Sequence, residues 1–205
     1  MQLNYWFQKA RWWLLAVIVI LQATVLLVSP NEYTLGWGIK PVYLHVSLTW
    51  TGMLLFALAA LLGLIVAITG RLALMVWARR VFRTAFVFYL VGFLISMYAS
   101  WLNWNGIPWQ EPKIQAAVNV IVAGIGAWYL VELVRPIRLK ALAVLIPFVF
   151  IATGRNSPRM VLHPDNPVVS SPLGIKSSFI VMFGLAILLA GWVLWVYEAG
   201  KETGK

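Results

Sequence analysis

Pro41-Val-Tyr-Leu-His-Val-Ser-Leu-Thr-Trp50-Thr-Gly-Met-Leu-Leu-Phe-Ala-Leu-Ala-Ala60-Leu-Leu-Gly-Leu-Ile-Val-Ala-Ile-Thr69 contains no charged residue. A helix needs about 20 apolar residues to cross a ~30 Å hydrocarbon core. This run exceeds that length, so it predicts a transmembrane helix that tilts or projects at its outer end. Five more apolar runs flank it, giving predicted spans at 12–29, 41–69, 82–102, 114–133, 138–153 and 174–197. The fifth is the shortest, bounded by Arg138 and Lys140 on one side and Gly154-Arg155 on the other. The fold class expected is therefore an all-α polytopic membrane protein forming one transmembrane domain over residues 1–205. With 62% hydrophobic and 11% charged residues, the chain is far from the roughly 25% charge of soluble domains.

The charges orient this bundle. The net charge of +10 comes from short segments between apolar runs, a positive-inside pattern rather than a nucleic-acid surface. With both termini cytoplasmic, eleven of the sixteen basic residues fall inside. Lys40, Lys113, Arg155, Arg159 and Lys176 fall outside. The run at Trp12–Leu27 follows Lys9 and Arg11, but no small-x-small cleavage signal succeeds it, so it reads as a retained span. The basic stretch Trp77-Ala-Arg79-Arg80-Val-Phe-Arg83 falls on the inner side. Glu132 and Arg135 are spaced for an i, i+3 pair at an inner helix end.

Cysteine is absent, which excludes disulfides, thiolate metal sites and thioether-linked haem on this chain. There is no phosphate-binding glycine loop, no His-Glu-x-x-His, no Ser/His/Asp set with a credible base and no intramembrane carboxylate series. Catalytic activity by the chain alone is not expected.

His45 and His163 are the only two histidines. Ionisable groups within membrane spans are functional candidates by default, and neutral imidazole ligates iron through either ring nitrogen. The predicted topology puts both at the extracytoplasmic face. Met160-Val-Leu-His163-Pro164-Asp165-Asn-Pro167 lies in a loop stiffened by prolines. The same face receives Trp101-Leu-Asn-Trp104-Asn-Gly-Ile-Pro-Trp109, whose Gly106 and Pro108 indicate a shaped turn. Trp101, Trp104 and Trp109 serve either as the walls of a flat apolar cavity or as an interfacial aromatic belt. Glu111 and Lys113 form a charged pair beside them, and Arg155 and Arg159 offer guanidinium groups suited to carboxylates. Two imidazoles with indole walls suggest a planar, iron-bearing ligand such as haem.

Three of these features resemble the cytochrome c assembly protein family, the membrane haem-handling proteins of the CcmC and CcsA type. Tyr43-Leu-His45-Val followed by Trp50 resembles its first histidine motif. Gly106-Ile-Pro-Trp109-Gln-Glu111-Pro112-Lys113 resembles the end of its tryptophan-rich segment, with Glu111 in place of Asp and fewer indoles. Leu162-His163, followed by Ser171-Pro172-Leu and an apolar helix, resembles its second histidine motif. Six spans suit the haem exporter protein C branch. The resemblance covers roughly residues 30–197. It implies a single non-covalent haem b with His45 and His163 as axial ligands and Trp101, Trp104 and Trp109 as pocket walls. Glu111, Lys113, Arg155 and Arg159 would lie around the propionates. It further implies a haem chaperone or apocytochrome c as recipient, other maturation subunits as partners, and a bacterial, archaeal or organelle inner membrane as location. The departures from the family pattern keep a second expectation in view: a diverged structural subunit, haem-binding or haem-free, of a larger membrane redox complex.

Overall fold

The structure, a computed structural model, describes residues 2–154 and 171–202, with side chains described for 10–154 and 171–196. Six helices follow one another: α1 Gln2–Val28, α2 Ile39–Thr69, α3 Leu72–Trp104, α4 Pro112–Leu133, α5 Ile137–Gly154 and α6 Leu173–Glu202. Each is long and apolar enough to cross a membrane, and the chain is an integral membrane protein. The only β-type pairing among the described residues is an isolated bridge between Glu32 and Gly36.

Local chemistry sets the connections. Gly70, at φ 68°, closes α2 and donates its N–H to the Val66 carbonyl. A left-handed residue at that place is least strained as glycine. Pro112 opens α4 in the first helical turn, where its missing N–H has no intrahelical acceptor to lose. Pro147 lies inside α5 and is fully buried. A helix enclosed by neighbours tolerates that interruption.

α2 is central, packed against α1, α3, α5 and α6. Its main core joins Phe56 to Phe82 and Tyr89 in edge-to-face contacts with centroids 5.9 and 6.0 Å apart. Glycines bring the helices close. A Cβ at Gly52 would meet the Tyr89 backbone nitrogen at 2.7 Å, and one at Gly63 would meet the Ala141 carbonyl oxygen at the same distance. A smaller cluster holds one end of the bundle, with Ile39, Tyr43, Val46, Ile175 and Phe179. There Tyr43 donates to the Pro30 carbonyl at 2.9 Å. At the opposite end, the Trp192 indole N–H donates to the Arg11 carbonyl at 2.7 Å.

Two expectations need correction. The basic stretch at 77–83, expected between spans, is helix rather than loop, because α3 begins at Leu72, ahead of the expected span at 82–102. No glycine or proline interrupts residues 72–83, and their arginines find partners on the helix surface. The Arg80 and Arg83 guanidinium groups stand over the Trp77 and Trp128 rings, at 5.2 and 5.1 Å. Glu132 does not form its ion pair with Arg135. It binds Arg83 at 2.6 Å and Arg79 at 3.6 Å, joining α4 to α3.

Lys40 was assigned only as an outer cation, but it is buried in the first turn of α2. Its ammonium reaches the end of α1 and donates to the Leu27 carbonyl at 3.3 Å and to the Ser29 carbonyl. These carbonyls lie at the negative end of α1, where a cation is favoured. Lys40→Met keeps the apolar stem and removes the donor. An unmade buried hydrogen bond costs about 1–3 kcal/mol, so the thermal midpoint in detergent should fall. An unchanged midpoint would show that water serves these carbonyls equally well.

Candidate functional site at the His45 end

α2 delivers His45 within its second turn, and α3 fixes the ring. His45 Nδ1 lies 3.2 Å from the Gly92 carbonyl oxygen and 3.4 Å from Thr49 Oγ1. A carbonyl only accepts, so this contact assigns the proton to Nδ1, and the neutral ring then keeps its lone pair on Nε2. Anchoring one ring nitrogen on a carbonyl is the arrangement that orients a ligating histidine and fixes its tautomer. The approach depends on Gly92, where a Cβ would stand 2.5 Å from Thr49 Oγ1 and 2.8 Å from the Thr49 nitrogen. Sequence reading identified His45 but neither of these partners. Glycine within an apolar span is a signal of close helix approach, though it does not say which helix arrives.

The tryptophan segment is at the same end. Asn103 donates from one amide nitrogen to the Gly38 carbonyl at 3.0 Å and to the Ala99 carbonyl at 2.9 Å. This ties the end of α3 to the start of α2. Asn105 then leaves the helix at φ 55°, and the chain turns through bonds from Trp109 N–H to Ile107 and from Glu111 N–H to Pro108, both 2.9 Å. Trp101 and Trp109 are exposed, whereas Trp104 is half-buried. Trp101 also contacts Tyr98, with centroids 6.4 Å apart.

Glu111 and Lys113 differ from one another in environment. Lys113 is exposed. The Glu111 side chain is 1% exposed, and its Oε1 has no hydrogen-bond partner among the described residues. Burial raises its pKa above the usual carboxylate range, and the charge of Lys113 partly offsets the rise. Glu32, in the α1–α2 connection at this end, moves the other way. The Thr34 hydroxyl bond chiefly holds its pKa down.

No family model matches this chain, and no curated protein matches it. The likeness to cytochrome c assembly proteins therefore rests on the three residue patterns alone. His163, Arg155 and Arg159 lie outside the described residues. The structure brings His45, the tryptophan segment, Glu111 and Lys113 to one end of the bundle. Among the described residues there is no cluster of three or more metal-binding side chains. What this end offers is one oriented imidazole, apolar indole surface and an exposed cation.

Proposed function

We propose that this chain is a haem-handling membrane protein of cytochrome c maturation. It holds a single haem b at the His45 end and yields it to a partner. The observation that supports this reading is the His45 ring, anchored through Nδ1 on the Gly92 carbonyl so that Nε2 is the basic nitrogen. In this reading His163 would hold the haem together with His45, and Trp101, Trp104 and Trp109 would line its pocket. Lys113, Arg155 and Arg159 would draw the propionates, with Glu111 in the same turn as Lys113. The haem supplies the iron chemistry when bound. The chain's part is to bind it, orient it and shield it from water.

Both termini are cytoplasmic in this proposal, which sets the site on the extracytoplasmic side of a bacterial, archaeal or organelle inner membrane. The recipient is a haem chaperone or apocytochrome c, reached within a complex of maturation subunits. Without cysteine the haem is non-covalent.

Haem titration of the purified protein, followed by absorption, tests this reading. The expected spectrum is low-spin in both oxidation states, as two imidazole ligands give. His45→Ala and His163→Ala should each convert it to a high-spin or weakly held form. An empty spectrum after haem supplementation would replace this proposal with the haem-free structural subunit of a redox complex.

A further inference from the structure

Between Arg71 and Lys140, the end opposite His45 carries seven cations and one carboxylate: Arg71, Arg79, Arg80, Arg83, Arg135, Arg138 and Lys140 against Glu132. The carboxylate is already bound by Arg79 and Arg83. Arg71, Arg135 and Arg138 are exposed and Lys140 is half-buried. None of these four has an ion-pair partner among the described residues.

The fold gathers the four cations. Gly63 on α2 meets Ala141 and Leu145 on α5 with no room for a Cβ. From that contact, α2 runs on to the turn at Arg71, and α5 runs back to the connection at Arg135. At about 1.5 Å per residue, both reach the same layer of the bundle. Two helices also begin here. Arg71 caps α3 without a side-chain hydrogen bond, and neither α3 nor α5 has an acidic residue in its first turn. Cations at a helix start oppose its dipole, and α2 and α4 end in the same layer with their carbonyls. Beside the cations stand exposed apolar side chains, Leu72 at 70%, Leu133 at 76% and Leu139 at 53%.

We propose that Arg71, Arg135, Arg138 and Lys140 hold the phosphodiester headgroup of an anionic phospholipid, in the seam between the α2–α3 turn and the α4–α5 connection. Charge complementarity selects an anion, and the adjoining leucines select one that brings acyl chains. Basic groups between membrane helices are suited to such headgroups. This site is independent of haem binding at the other end.

The test uses the purified full chain in phosphatidylcholine nanodiscs, titrated with phosphatidylglycerol and read by the thermal midpoint. Phosphatidylglycerol should raise the midpoint. Replacing all four residues with glutamine should weaken the apparent affinity by on the order of several hundredfold, since each basic residue near the surface contributes about fivefold. Replacing Lys176 with glutamine should leave the response unchanged. If the fourfold variant does not insert, Arg135→Gln with Arg138→Gln should show a smaller loss in the same direction. An undiminished response in whichever variant is read would overturn the proposal. So would an equal rise with inorganic phosphate alone, which would make the site one for small anions.

Discussion

Gly52→Leu should lower the thermal midpoint of the bundle more than any surface substitution. The new Cβ would meet the Tyr89 nitrogen at 2.7 Å, its Cβ at 2.9 Å and its Cα at 3.0 Å. Two of these are main-chain atoms, and the Cβ is fixed to the main chain, so no rotamer change relieves the clash. The helices must separate. Overpacking of this kind costs about 1–3 kcal/mol, and within lipid there is little hydrophobic gain to restore the contact. Gly92→Val should act similarly and also shift the carbonyl that holds His45. Gly126, with nothing within 4 Å of an added Cβ, is the control. Unfolding in detergent should show Gly126→Ala near the parent midpoint and Gly52→Leu well below it. Equal midpoints would mean that α2 and α3 do not pack this closely.

Glu111→Gln should change how stability depends on pH. The folded protein holds the Glu111 proton more tightly than the unfolded chain does, because burial raises the pKa. Folding is then most favoured where the carboxyl is protonated in both states. Stability falls as pH rises from the unfolded value through the raised folded value. Glutamine has nearly the same shape and cannot ionise. A buried polar group without a partner costs about 1–3 kcal/mol, more when charged. The variant should therefore match the parent at about pH 4 and exceed it at about pH 8. Parallel midpoint curves for the two proteins across that range would show that Glu111 titrates as an ordinary carboxylate.

The six helices were legible because each apolar run is long and charge-poor. The ends of those helices were less so. Arginines at 79, 80 and 83 carried the signal of a loop, yet a helix accepts them when indole faces and a carboxylate are within reach. Glu132 and Arg83 are 49 positions apart, and local spacing instead favoured Arg135. At the candidate site, residue chemistry picked out His45 and the indoles as types. It could not reveal that Gly92 anchors the imidazole, or that Glu111 is enclosed while Lys113 is open. Both depend on which helices meet, and that is decided by shape at small residues rather than by hydrophobic pattern.

The helices also differ greatly in length. α3 has 33 residues and α5 has 18, about 50 Å and 27 Å at 1.5 Å per residue. A hydrocarbon core about 30 Å thick is close to the length of α5, where Leu142, Val149 and Phe150 are exposed. α3 outruns that core, and its excess includes the segment that carries Arg79, Arg80 and Arg83. A helix longer than the lipid is thick tilts or projects, so the two flanks of the bundle meet the membrane surface differently.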